Sequence, residues 1–159
     1  EKYPDGSPKA RETLLDDRKT IVKEAWYPSG VDPGNPPAQE YKYNIVNGQE
    51  HGLQEIWYEN GQRWSKHNYV DGQKHGLEEG WYWDGQQWYK QNFVNGQRHG
   101  LREEWYRNGQ QRYKKYYLDG IEVSQQTYQT YIEKLAPEIQ ATTDFEERLS
   151  NIIAEYLLP

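Results

Sequence analysis

From Tyr41 to Leu118 the chain is a succession of strand-length runs, each closed by an Asn-Gly or Asp-Gly pair. The glycines of these pairs fall at 48, 61, 72, 85, 96, 109 and 120, so the intervals alternate between 13 and 11 residues. Trp-Tyr recurs at 26, 57, 81 and 105, and His-Gly at 51, 75 and 99. The unit is therefore 24 residues long and has two half-units. Gly6 and Gly30 keep the same spacing, whereas Gly30 and Gly61 are 31 apart. The seven extra residues fall in the Pro/Gly-rich loop "VDPGNPPAQ", about 31–39. The register is lost after Gly120. The pattern predicts five hairpin repeats over 1–121 and a separate segment over 122–159.

Asn-Gly and Asp-Gly favour two-residue hairpin turns, because both centre residues must take positive φ. With Asn60-Gly61 as such a turn, Glu59 faces Gln62, Trp57 faces Trp64 and Glu55 faces Lys66. The same arithmetic pairs Trp81 with Trp88, Glu79 with Lys90, Trp105 with Arg112 and Glu103 with Lys114. Acid opposite base and ring opposite ring are pairs that a hairpin rewards. Strand alternation puts Leu53, Glu55, Trp57, Trp64, Lys66 and Val70 on one face. Tyr58, Tyr69, Tyr82, Phe93, Tyr106 and Tyr117 fall on the other, and Gly80 faces Tyr89, which leaves room for its ring. The fold class expected is mainly β: an elongated single-layer antiparallel meander about ten strands wide, roughly 45–50 Å long, with a short C-terminal α-helical cap.

After Gly120 the spacing turns helical. Tyr128, Tyr131, Ile132 and Leu135 share one face, and Pro137 is expected to interrupt or restart the helix. Thr143 and Glu146 form a capping box. Phe145, Leu149, Ile152, Ile153 and Tyr156 then make an apolar stripe. That stripe is read either as a cap on the last open strand edge or as a helix that binds a partner. The chain opens on Glu1, and Tyr3-Pro4-Asp5-Gly6 reads as the middle of a repeat, so further residues are expected upstream.

The unit "NGQ.HGL.E.WY.NGQ" resembles the MORN (membrane occupation and recognition nexus) repeat. Gly52-Leu53, Gly76-Leu77 and Gly100-Leu101 stand where the common form has Gly-x-Gly, which places the likeness with the variant form seen in bacterial antitoxin-like and large-DNA-virus proteins. The resemblance covers about residues 3 to 120. It implies an elongated hairpin sheet. For function it implies a scaffold for protein–protein interaction, such as a structural component of a viral assembly. Neutralisation of a toxin partner and binding of lipid head groups are the alternatives.

Composition narrows these readings. Apolar residues make up 34% of the chain and aromatic residues 15%, so Tyr and Trp supply much of the apolar surface. That suits a thin fold with half-exposed rings, and so many rings argue against disorder. Residues 1–121 hold 17 basic and 18 acidic side chains, and the remaining segment holds 2 and 7. No basic stripe points to nucleic acid, and the basic cluster expected of a lipid-binding module is absent. With no cysteine, disulfides and thiolate sites drop out. No apolar run approaches a membrane span and no signal peptide is visible. The expected location is the cytoplasm or a viral particle rather than a secreted one.

Candidate chemistry reduces to structure. His51, His75 and His99 could be read as a metal column, but equivalent positions lie two strands apart, roughly 9–10 Å. One ion cannot bridge that gap when zinc–nitrogen distances are about 2.0–2.1 Å. His51-Gly52, His75-Gly76 and His99-Gly100 are read as structural turns instead. Glu55, Glu79 and Glu103 each face a lysine, which marks ion pairs rather than general acids. No phosphate loop or other cofactor motif is present, and no nucleophile sits beside a base, so an enzyme is not expected. The remaining feature is the aromatic strip of Trp26, Trp57, Trp64, Trp81, Trp88 and Trp105, with Trp83 at a turn. Rings of this kind are enriched in interface hot spots, so this face is the candidate partner surface. Self-association through the sheet edge or this face is the other expectation.

Overall fold

The computed structural model describes residues 2–3, 9–15, 19–27 and 39–140. Twelve strands form one antiparallel sheet. They are β1 (Ala10–Leu14), β2 (Thr20–Trp26), β3 (Gln39–Val46), β4 (Gln49–Glu50), β5 (Gly52–Trp57), β6 (Arg63–Val70), β7 (Gln73–Lys74), β8 (Gly76–Trp81), β9 (Gln87–Val94), β10 (Gln97–Trp105), β11 (Gln111–Leu118) and β12 (Ile121–Val123). Helix α1 (Gln125–Gln140) follows. The strands lie in chain order, except that β4 and β7 are two-residue strands pairing only with β3 and β6. The fold is thus the expected open meander. The loop predicted at about 31–39 lies mostly outside the described residues, and β3 restores the register from Gln39.

Two turn chemistries alternate along the sheet. Asn47, Asp71, Asn95 and Asp119 have φ of 48–50°, and the glycine after each is also at positive φ. Both centre residues are left-handed, so these are the two-residue turns that the dipeptides favour. Val70 then pairs with Gln73, and Val94 with Gln97.

The turns at Asn60-Gly61, Asp84-Gly85 and Asn108-Gly109 differ from the expectation. Here only the glycine has positive φ. The Tyr58 N–H donates to the Gln62 carbonyl at 2.8 Å, and the Gly61 N–H to the Tyr58 carbonyl at 2.9 Å. The loop has three residues, and Trp57 pairs with Arg63 rather than Trp64. Likewise Trp81 pairs with Gln87 and Trp105 with Gln111. The expected Glu59–Gln62, Trp57–Trp64, Trp81–Trp88 and Trp105–Arg112 pairings are not formed. The cause is local: Asn60 Oδ1 accepts the Gln62 N–H at 3.0 Å, as Asp84 and Asn108 do for Gln86 and Gln110. This Asx turn leaves positive φ to the glycine alone. A one-residue bulge absorbs the extra residue, after which Glu55–Lys66, Glu79–Lys90 and Glu103–Lys114 pair as the spacing predicts.

The His-Gly pairs, read as turns, sit inside the strand path. Tyr69 pairs with Lys74, yet Lys66 pairs with Glu79, so two residues are inserted at His75-Gly76. Gly76 has φ of 77°, and the His75 N–H donates to the Asn68 carbonyl at 2.9 Å. The same bulge separates β4 from β5 and interrupts the pairing of β10 with β9.

Among the described residues the apolar core is thin: Ala25, Phe93, Tyr117 and Tyr128 are buried, and no large side chain is fully enclosed. Cross-strand pairs therefore carry much of the stability. At the C-terminal end Ser124 Oγ accepts the Thr127 N–H at 3.1 Å and caps α1. Tyr128 packs on Tyr116 with centroids 5.2 Å apart, and Tyr131 lies 5.7 Å from the His99 ring. Earlier units have Asn44, Asn68 and Asn92 where the last has Tyr116. The ring supplies a platform for the helix where another repeat would otherwise stack. α1 runs through Pro137 to Gln140 instead of breaking there. The proline leaves the Glu133 carbonyl without its i+4 donor, and with only three helical residues after it the helix ends soon beyond rather than restarting. The stripe of Phe145, Leu149, Ile152, Ile153 and Tyr156, and the capping box at Thr143, lie outside the described residues.

Candidate interaction surfaces

One face of the sheet is a ladder. Reading across the strands, Arg11, Glu24, Lys42, Glu55, Lys66, Glu79, Lys90, Glu103 and Lys114 stand directly opposite one another in sequence. Signs alternate without exception. Nitrogen–oxygen distances are 3.6 Å for Lys42–Glu24, 3.8 Å for Lys90–Glu79 and 4.0 Å for Lys114–Glu103. Half-exposed pairs of this kind contribute a few tenths of a kcal/mol each, up to about 1.

The tryptophans flank this row. The backbone carbonyls of Trp26, Trp57, Trp81 and Trp105 accept the hydroxyls of Tyr3, Tyr27, Tyr58 and Tyr82 at 2.9–3.1 Å. Each Trp-Tyr dipeptide thus receives a bond from the preceding unit, and all but the last, Trp105-Tyr106, give one to the next. Arg11 lies over the Trp26 ring and Arg63 over the Trp81 ring, at 5.4 and 5.5 Å. Trp64 and Trp88, expected on this face, sit at the bulges and rest instead against Tyr58 and Tyr82 of the other face, with Trp88 also 5.1 Å from Tyr89. The Arg107 guanidinium, held by a 2.7 Å ion pair to Asp84, lies 4.5 Å from the Trp83 ring, which remains 55% exposed. Among the described residues the ring pairs join Trp to Tyr, and none joins Trp to Trp. On this face Leu53, which pairs with Asn68, and the nearby Val70 stay 41% and 39% exposed in hairpin β5–β6, and Ile121, opposite Leu118, is 69% exposed.

The reverse face is polar and closely bonded. Glu78 is buried and accepts from Lys74 Nζ at 3.0 Å, the Tyr89 hydroxyl at 3.1 Å and Gln91 Nε2 at 3.0 Å. Gln91 Oε1 in turn accepts from Arg98 Nε at 3.0 Å and Arg102 Nη1 at 2.6 Å. Arg102 and Arg112 both bind Glu104, as does the Tyr113 hydroxyl. Burial pushes the Tyr89 hydroxyl well above its ordinary value, and the Glu78 charge adds to the effect. At Glu104 burial opposes the charge, but the bonds from Tyr113, Arg102 and Arg112 outweigh it and hold the carboxyl below its ordinary value. The Tyr89 ring occupies the space beside Gly80, where an added Cβ would meet it at 2.3 Å.

The histidines serve neighbouring turns. His51 Nδ1 is 3.5 Å from Asp71 Oδ1, and His99 Nδ1 is 3.0 Å from Asp119 Oδ1. His67 is buried and bonds Gln54 Oε1 at 3.1 Å; burial, reinforced by Lys74, holds its imidazole below its ordinary value. Among the described residues no three His, Cys, Asp or Glu side chains converge on a metal position, and no helix is long and apolar enough to cross a membrane. The Arg98–Arg102–Glu104 network was missed by sequence reasoning. Its signal was the change from Gln54 to Glu78 to Arg102 at one repeat position.

No family model matches the chain, and no curated protein sequence matches it. One similar solved structure is titled "Crystal structure of GtfA/B complex". It is 11% identical over 62% of this chain, with a TM-score of 0.34. The match spans 20% of that protein's chain and carries no argument about function.

Proposed function

We propose that the chain is a non-enzymatic repeat scaffold that binds a protein partner, built from units of the variant MORN type that its sequence resembles. A structural role within a large assembly, such as a virus particle, is the setting this reading favours. The observation that carries it is the open pair of Leu53 and Val70 on the ladder face. The equivalent apolar positions in the last repeat, Leu101 and Leu118, lie on the hairpin where α1 docks. The single-layer sheet therefore covers one such site with its own helix and leaves another open. Aliphatic groups that remain exposed together on a sheet face are a common mark of an interface.

The test is affinity capture from the native source with the wild-type chain and the Leu53→Glu/Val70→Glu variant side by side. The expected result is a partner retained stoichiometrically by the wild type and lost by the variant, with circular dichroism unchanged. Equal capture by both chains would remove this patch from the reading.

A further inference from the structure

The reverse face is where the repeats stop resembling one another. On the ladder face three columns repeat without change: Leu53, Leu77 and Leu101; Glu55, Glu79 and Glu103; Lys66, Lys90 and Lys114. On the reverse face the equivalent residues are Gln54, Glu78 and Arg102 in one column, and His67, Gln91 and Lys115 in the other. The drift ends in like charges. Arg102 stands directly opposite Lys115. Arg98 Nε and Arg102 Nη1 both donate to Gln91 Oε1, at 3.0 and 2.6 Å, so these two nitrogens are less than about 6 Å apart.

Like charges placed opposite each other cost stability. The ladder face shows what this chain does where pairing alone matters: nine charges alternate in sign. The reverse face of β9–β11 breaks that rule. Lys74, Arg98, Arg102, Arg112 and Lys115 meet three carboxylates there, Glu78, Glu104 and Glu122. Glu78 and Glu104 are buried beneath, while Arg98 and Arg112 are exposed. Among the described residues Arg98 has no carboxylate, only the neutral Gln91 amide. Rings hold the cations in place: Arg98 lies 5.7 Å from the Tyr117 ring, Arg102 the same from Tyr113, and Lys115 5.5 Å from Tyr113. Cations fixed in this way lose little further freedom when an anion arrives.

We propose that Arg98, flanked by Arg102 and Lys115, which Glu104 and Glu122 hold at 3.1 and 2.8 Å, binds an acidic segment of a partner polypeptide on the reverse face of β10–β11. Guanidinium groups take carboxylates in paired, charge-assisted hydrogen bonds, and Arg clusters are a recurrent means of reading acidic motifs. The net charge of −6 repels an extended polyanion at long range, whereas a short segment with a few carboxylates meets only the local cationic excess. The site is on the opposite face from Leu53 and Val70 and does not depend on the ladder-face reading.

The experiment uses the full chain and labelled ten-residue peptides of alternating Glu and Val, with Gln-Val peptides and a single-stranded oligonucleotide as comparisons, read by fluorescence anisotropy. The Glu peptide is expected to bind at least about tenfold more tightly than the Gln peptide, with affinity falling as salt rises. Arg98→Glu is expected to weaken it by about tenfold or more with an unchanged melt, and Arg98→Lys by less. Leu53→Glu/Val70→Glu should leave peptide binding intact, which separates this site from the ladder patch. Equal binding of Glu and Gln peptides, indifference to Arg98→Glu, or tighter binding of the oligonucleotide would each overturn the assignment.

Discussion

The hydroxyl of Tyr58 donates to the backbone carbonyl of Trp81, 2.9 Å away and 23 residues on. Neighbouring strands are joined by backbone ladders, but this bond ties one hairpin's turn to the next hairpin. Tyr27 and Tyr82 repeat it. Tyr58→Phe should therefore lower stability by about 1 kcal/mol. Tyr106, the equivalent residue of the last unit, is half-exposed and has no Trp of a following unit to reach. Tyr106→Phe should leave stability unchanged within a few tenths of a kcal/mol. Urea unfolding of the two variants checks this, and equal losses would deny the rung its role.

Gly80 and Tyr89 form a size-matched pair on the reverse face, and one repeat earlier the same positions hold Ile56 and Ser65. Large and small have changed strands. Gly80→Ile places a side chain where the Tyr89 ring lies and should destabilise by roughly 1–3 kcal/mol or more through overpacking. Adding Tyr89→Ser recreates the neighbouring pair and should recover part of the loss, though not the hydroxyl bond to Glu78. Strictly additive effects of the two changes would contradict the pairing.

Glu79 stands between Lys66 and Lys90. Glu79→Lys sets three cations side by side and should cost about 1 kcal/mol, less at high salt. In an isolated pair, Lys90→Glu would restore what was lost. Here the restored glutamate faces Glu103 and the new lysine still faces Lys66. The double variant should therefore recover only partly. Chemical denaturation at low and high salt measures both the loss and its screening.

The meander, its strand order and the acid–base register were legible because 24-residue spacing and alternation bear on backbone geometry directly. The turns were less so. Asn60-Gly61 and Asn47-Gly48 are the same dipeptide, yet one closes a three-residue loop and the other a two-residue turn. The difference lies in the Asn60 side chain, which bonds the Gln62 N–H, and dipeptide preference does not carry that information. The tryptophans stood out in the sequence because they repeat, but the structure occupies much of them: carbonyls accept tyrosine hydroxyls, and guanidinium groups cover Trp26 and Trp81. The bonded network of Glu78, Gln91, Arg102 and Glu104 lies at positions whose residue type changes between units, where repeat matching is silent.

His67 should give the stability profile a step near neutral pH. Its imidazole is held below its ordinary value, so the unfolded chain takes up the proton first. The stability it contributes is fully present above about pH 6.5 and is lost as pH falls from there toward the folded value, by at most about 1.4 kcal/mol per pH unit. Gln91 occupies the equivalent position in the next unit, so His67→Gln is a tolerable substitution. It should flatten the profile between roughly pH 6.5 and 5. The loss at lower pH should remain, because burial at Glu24 is outweighed by Arg11 and Lys42 just as at Glu104, and both carboxyls sit below their ordinary values. Melts of both chains across this range are the measurement. An unchanged slope above pH 5 would remove His67 from the account.

Helix α1 decides whether the array ends in a cap or in a tethered arm. Tyr128 is 5% exposed, lies on Tyr116, and burial pushes its hydroxyl up to about 12. β12 covers β11 only from Tyr116 to Leu118, so among the described residues that edge from Gln111 to Lys115 has no strand beside it. In the preceding unit the corresponding stretch, Tyr89–Gln91, pairs with Glu104–Arg102 of β10. A chain ending at Val123 would expose the Tyr116 ring next to that open edge. Unpaired edges with rings beside them recruit other chains. The truncated protein should melt at lower temperature and self-associate by light scattering. Tyr128→Ala in the full chain should lower stability by about 3–5 kcal/mol, as for a large buried ring, with less tendency to associate because the helix backbone still shields the face. The two variants separate loss of packing from loss of cover. If truncation leaves a monomer with an unchanged melt, the helix adds nothing to the sheet, and α1 must then be treated as an arm free to engage a partner.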